Sequence, residues 1–271
     1  VAEAVREAEA RAVPAKLSVG RARIPREGFV RNSNVGGVFD PRFVVLPAVA
    51  ADTEQPLGSL LHMACHPEVL RRGNTRLSSD FVGPLCDRWR EAGNGQAVFV
   101  NGALGAMITP HPSGDEGLVT MVDKLVEVAS AALTAAQPLE ADVLEVRRSD
   151  LFMPLTSPGF LAGKLTLVIE RSSYEGLLKT GVGYLRIGDL EVACLPGEME
   201  PALAEQIRRD CGKPNLVLFG LCDDEIGYLM RVADARDPLY DYERVMSPEV
   251  RAGENVREAL VGMPSAAAYG R

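Results

Sequence analysis

The sequence predicts an α/β fold, a layered domain with a mixed β-sheet flanked by helices. Short apolar runs of strand length alternate with stretches of helical spacing along most of the chain. Several runs, such as 43–50 and 97–100, are apolar enough for strands buried on both faces. No repeat, low-complexity tract or linker divides the 271 residues, so one domain is expected over 1–271.

The elements follow in order. VAEAVREAEARA places Val1, Val5 and Ala8 on one helical face, with no capping residue ahead of it. A start at Val1 fits a trimmed lead or a chain continuing upstream, and the domain is expected to be N-terminally incomplete. Residues 17–24 alternate as a strand, 26–42 form a Gly- and Asn-rich loop, and 43–50 and 57–66 read as strands. Ser79 or Asp80 is placed to cap a helix running to Glu91, and 97–100 is a short buried strand. Leu118, Met121, Val122, Leu125 and Val128 give 116–135 its helical spacing. Strands are expected at 143–152 and 165–171, with 153–163 as a loop. Gly188-Asp189 joins 184–187 and 190–195 as a hairpin. Pro201 opens a helix through Arg209, 216–221 is a buried strand, and Ser247-Pro248 starts the last helix, to about Val261.

Composition narrows the function. Twenty-nine Lys and Arg against 37 Asp and Glu leave a net charge of -8. No basic cluster is present to neutralise phosphates, which argues against nucleic acid as a partner. No apolar run approaches the roughly 20 residues of a transmembrane helix. A small molecule or another protein is the expected partner. Cys65, Cys86, Cys194, Cys211 and Cys222 show no CxxC or zinc-finger spacing, and their odd number points to free thiols. That leans towards a cytoplasmic, reducing compartment, with an export signal upstream of Val1 left open.

GxGxxG, Walker, GxSxG and HExxH motifs are absent. The three histidines are His62, His66 and His111. On a strand His62 and His66 would lie about 13 Å apart, too far to share one metal. His66, beside Pro67 at a strand end, is the better candidate ligand; a hydrogen-bonded or surface histidine is the plain alternative. His111 reads as a loop residue. Gly102 and Gly105 would let backbone N–H groups approach a ligand beside Thr109, or serve simply as packing glycines. Glu198 follows a strand and precedes a helix, as a site residue or a cap, and Glu200 reads as part of that helix's first turn. Asp223, Asp224 and Glu225 precede Gly227-Tyr228. His66, Thr109, Glu198 and Tyr228 each come just after a predicted buried strand, so one sheet edge could gather them around a catalytic zinc.

Taken with Ala64-Cys-His-Pro67, Ser78-Ser-Asp-Phe81, Asn101-Gly-Ala-Leu-Gly105, Thr109-Pro110, Leu195-Pro-Gly-Glu198 and Tyr242-Glu243, the order and spacing resemble the neutral (nonlysosomal) ceramidases and their bacterial relatives, over about 17–260. The resemblance implies a zinc held by His66, Glu198 and Tyr228, with Thr109 as the counterpart of the hydrolytic serine. It implies Arg31 near the substrate and Tyr242 as a second active-site tyrosine. The chain departs from the family in lacking its upstream His-rich motif. Ala106 stands where the family has Asp, Thr109 replaces Ser, and the loop from Gly105 to Pro110 is one residue longer. The expected function is therefore zinc-dependent hydrolysis of a small-molecule acyl amide or ester. The alternative is a catalytically inactive relative serving in binding or assembly.

Overall fold

The computed structural model describes residues 1–25, 30–34, 36–71, 73–108, 113–140, 142–166 and 174–263. Helix α1 (Ala2–Ala10) precedes β1 (Ala15–Arg23), the two-residue β2 (Arg31–Asn32), β3 (Arg42–Ala50) and β4 (Pro56–Met63). Then come α2 (Val82–Glu91), β5 (Gln96–Asn101), the short β6 (Met107–Ile108), α3 (Gly114–Thr134) and β7 (Gln137–Leu139). The remainder runs β8 (Leu144–Met153), α4 (Pro158–Leu165), β9 (Leu178–Ile187), β10 (Leu190–Cys194), β11 (Glu198–Met199) and α5 (Pro201–Asp210). It closes with β12 (Val217–Phe219), β13 (Tyr228–Leu229), α6 (Asp241–Val245) and α7 (Ala252–Val261).

Two mixed sheets result. One has the order β5-β4-β3-β1-β7 and the other β12-β10-β9-β8. The parallel pairs are β4 with β5 and β10 with β12, and the remaining pairs in these two sheets are antiparallel. Strand alternation builds the layers. Phe43 and Val45 of β3 join Leu61 and Met63 of β4 against Trp89 of α2 and Leu125 of α3. Val44, one step out of phase, instead meets Leu190, Val192 and Val217 between the sheets. Ala193 and Leu218 face Leu203 and Ile207 of α5 and Val256 of α7. The order is helices, sheet, sheet, helices, each buried large side chain contributing about 1.5–3 kcal/mol. The α/β layering read from the sequence is the architecture found, with two mixed sheets in place of one.

Several boundaries differ, each for a local reason. The expected loop 153–163 contains α4, which Pro158 opens at its first turn. Gly159 and Gly163 had weakened the helical signal. Leu165 ends that helix, and 167–171 of the strand expected there lie outside the described residues. Strand β9 starts six residues before Tyr184 because a ten-residue ladder with β8 spans its glycines, from Leu144↔Ile187 to Met153↔Leu178. The last helix begins at Ala252, since Ser247 donates its hydroxyl to the Tyr228 carbonyl at 2.8 Å. Neither Ser79 nor Asp80 caps α2. Asp80 accepts from the N–H groups of Val69 and Leu70, both at 3.0 Å, and so ties down the loop after His66. Helix α1 buries none of its residues, its apolar stripe included.

Candidate active site

The site grows from the ends of β4 and β10. Strand β4 stops at Met63, short of the expected 66. His66 is then held by one carbonyl twice. Its backbone N–H donates to Met107 O at 2.8 Å and its Nδ1 at 2.9 Å. With Nδ1–H fixed there, Nε2 is turned onto Glu198 Oε2 at 2.7 Å. Burial alone would lower the imidazole's pKa. The hydrogen bonds to Glu198 and Met107 O outweigh it, so the ring sits above its ordinary value.

Glu198 is presented by the Leu195-Pro-Gly turn that follows β10. A second loop, 220–227, grips this turn: Cys222 N–H donates to Leu195 O (2.8 Å), Leu221 to Gly197 O (3.2 Å) and Ile226 to Pro196 O (2.8 Å). That loop ends at Gly227, whose φ is +90°. A Cβ there would lie 1.9 Å from Met246 O, so no other residue fits. Strands β11 and β13 then pair in parallel, setting Glu198 opposite Tyr228. Burial, the Glu198 charge and the hydrogen bond to that carboxylate push the Tyr228 phenol well up. Tyr242, on α6, meets Tyr228 edge to face at 5.9 Å and leaves 67% of its surface exposed. Arg31 lies exposed on β2, which pairs with β6 through Arg31↔Ile108. Asn34 Nδ2 links the β2 loop to α6 by donating to Glu243 Oε1 at 3.1 Å. His66, Glu198 and Tyr228 therefore converge, Tyr242 borders them, and Arg31 sits on the strand beside Ile108. Thr109 and His111 lie outside the described residues.

Other expectations resolve differently. Gly102 N–H donates to Met63 O (2.8 Å) and Gly105 N–H to Met199 O (2.9 Å), so neither is free for an oxyanion. A Cβ on Gly105 would come within 2.9 Å of the β11 backbone, which makes it a packing glycine. His62 is a structural histidine. It is buried between the sheets, with Nε2 2.8 Å from Leu218 O, and burial lowers its pKa. Glu200 is the backbone N-cap of α5 and not part of its first turn. Its side chain is 1% exposed, and its Oε1 has no hydrogen-bond partner. Burial and the charges of Glu243, Asp234 and Glu198 push its carboxyl up to about 8. No sequence pattern marks this buried acid group, apart from a charged residue inside the apolar stretch around Pro201. Among the described residues no three His, Cys, Asp or Glu side chains form a metal-binding group, and no helix is long and apolar enough to cross a membrane.

No protein-family model matches this sequence, and no curated protein matches it. Solved structures do. Neutral ceramidase from Pseudomonas aeruginosa superposes with a TM-score of 0.74 at 16% identity, covering 96% of this chain and 53% of that one. A structure described as ceramidase complexed with C2 gives a TM-score of 0.74 at 15% identity, covering 95% and 54%. The fold is ceramidase-like. The chain spans about half the length of these ceramidase structures.

Proposed function

We propose that residues 1–271 form one catalytic domain of a zinc-dependent hydrolase that cleaves an acyl amide or ester of a small molecule, resembling neutral ceramidase. The reading rests above all on the 2.7 Å approach of His66 Nε2 to Glu198 Oε2 beside the Tyr228 phenol. The ceramidase-like fold supports it. The donor set would suit the metal: an imidazole nitrogen and a carboxylate oxygen are ligands zinc accepts, and the Tyr228 phenol would add a third donor. The Met107 carbonyl on Nδ1–H is the kind of support that orients a ligating imidazole.

In this reading His66, Glu198 and Tyr228 hold the zinc. When bound, zinc polarises the scissile carbonyl and lowers the pKa of a bound water. Met107 O keeps His66 in the tautomer that presents Nε2. Tyr242, exposed beside Tyr228, donates its phenol O–H to the oxygen on which charge develops. Arg31 orients the polar part of the substrate, and Thr109 is the hydroxyl candidate for the nucleophile. Hydrolysis of a short-chain fluorogenic N-acyl amide should require zinc, stop with a chelator, and fall at least about 1,000-fold in His66→Ala. Tyr242→Phe should retain zinc and lose about 100-fold in kcat. Full activity after chelation would overturn the reading.

One observation favours a second reading, a metal-free relative with a binding role. Without a cation His66 and Glu198 satisfy each other as an ion pair. A protein that takes up no zinc and hydrolyses none of a panel of acyl amides and esters would decide for it.

A further inference from the structure

The outer face of the second sheet carries a charged cavity that the His66 site does not use. Strand alternation sends Leu185 and Ile187 of β9 and Val192 of β10 into the core between the sheets. Tyr184 and Arg186 of β9, Glu191 and Ala193 of β10, and Glu145 and Arg147 of β8 line one cavity of about 400 Å³ on the opposite side. The register puts Arg186 between Glu145 and Glu191, and Tyr184 between Arg147 and Ala193. Lys213, from the turn after α5, adds a third cation. Leu216, Leu260 at the end of α7 and Met263 just beyond it supply apolar lining.

The charges here are unevenly matched. Arg147 donates to Glu145, and its guanidinium lies over Tyr184, 5.0 Å from the ring centre. Lys213 donates to Glu191 and, at 3.1 Å, to the Tyr184 hydroxyl, which itself donates to Glu191. Burial would raise the Glu191 carboxyl, but these bonds outweigh it and hold it below its ordinary value, so it stays ionised. Both acids that flank Arg186 are thus committed to other cations. Arg186 engages only its Nε, which donates to Gly188 O at 2.8 Å. That bond orients a half-buried guanidinium, and among the described residues no carboxylate pairs with it.

We infer that this cavity is a binding site for an amphipathic monocarboxylate, the anion of a medium-chain organic acid. Three cations against two acids leave one positive charge uncompensated, and it sits on Arg186, so a ligand with a single negative charge balances the cavity. The Nη groups of a guanidinium are donors whose geometry matches the two oxygens of a carboxylate. The hydrocarbon body of the ligand then covers Ala193, Leu216 and Leu260. Apolar walls with a few placed polar groups are the general form of a small-ligand site. The volume is at the small end of the roughly 300–1,000 Å³ of such sites, which suits a body of medium length and not a long lipid chain. None of these residues belongs to the group around His66, so binding here does not depend on zinc.

Calorimetric titration of the native chain with sodium octanoate should show saturable binding at one octanoate per chain. Octanamide, the same body without the charge, should bind at least about tenfold more weakly. Acetate, the same charge without the body, should lose at least about tenfold as well. Arg186→Gln should weaken octanoate binding at least about tenfold at an unchanged thermal midpoint. The octanoate–octanamide comparison needs no variant, so it decides even where Arg186→Gln unfolds. His66→Ala should bind octanoate as the wild type does, which separates this cavity from the site proposed to do chemistry. An absence of saturable binding, equal affinity for octanoate and octanamide, binding that survives in folded Arg186→Gln, or binding that is lost in His66→Ala overturns the inference.

Discussion

Two ionic clusters draw on α5 and on Glu200, the residue that starts it, and they are balanced in opposite ways. Asp40, Arg42, Glu205 and Arg208 set two acids against two guanidinium groups. Arg208 donates Nε to Leu216 O at 3.0 Å, and Nη1 to Glu205 Oε1 at 2.7 Å and Asp40 Oδ2 at 3.3 Å. Arg42 Nη1 completes the set on Asp40 Oδ1 at 2.9 Å. The other cluster gathers Glu198, Glu200, Asp234 and Glu243 around one nearby arginine, Arg231, which Asp234 engages with both oxygens. There Glu200 Oε1 and Glu243 Oε2 have no hydrogen-bond partner. The first cluster joins the chain ahead of β3 to α5 and stabilises the layers. The second costs stability, and it includes Glu198, one of the residues proposed to do chemistry. Local sacrifice of stability is common where a site must hold charge.

The largest test of this contrast is Arg208→Ala. It leaves Asp40 buried without its main partner and should cost about 3–5 kcal/mol in denaturant unfolding. A loss under about 1 kcal/mol would break the claim that this cluster holds the layers together. Next comes Glu200→Gln. Relieved of a crowded carboxyl, the metal-free protein should gain about 1–3 kcal/mol near pH 9, and its midpoint should move up.

The two clusters should also give stability opposite slopes with pH. Glu200 is protonated up to about 8 in the folded chain but only to about 4.3 when unfolded. Between those values the folded state binds the extra proton, so stability falls as pH rises, and Glu200→Gln should flatten that decline. Burial would raise Asp40, but Arg208 and Arg42 outweigh it and hold its carboxyl below the ordinary range. Its contribution is complete above the unfolded value of about 3.9 and is lost as pH falls through the folded one. Urea midpoints across pH 2–9 for wild type and Glu200→Gln read both limbs. The smallest effect on stability belongs to Tyr242→Phe, within about 0.5 kcal/mol of wild type because the ring is mostly exposed. Circular-dichroism melts should barely separate the two, so its loss of activity could be assigned to chemistry.

Much of the fold was legible because it is written locally. The Gly188-Asp189 hairpin, the apolar phase of α3 and the proline opening α5 each depend on neighbours within a turn or two. The glycines of β9 hid a strand whose evidence is its ladder with β8. Of the candidate site, the positions of His66, Glu198 and Tyr228 after strands could be read from spacing. The Asp40–Arg208 pair could not, since 168 residues separate its members. Nor could the burial of Glu200, which depends on Asp234 and Glu243 arriving from later in the chain. Long-range pairing of charges leaves no periodic trace in a sequence.

The central claim is that His66, Glu198 and Tyr228 together hold one zinc. Zinc titration of the metal-free chain, followed by proton release and by the ultraviolet difference band of tyrosinate, tests it most directly. The account predicts saturation at one zinc per chain with a tyrosinate band. The band alone should vanish in Tyr228→Phe, and binding itself in His66→Ala. An unresponsive wild-type chain, or zinc uptake unchanged in His66→Ala, would contradict it.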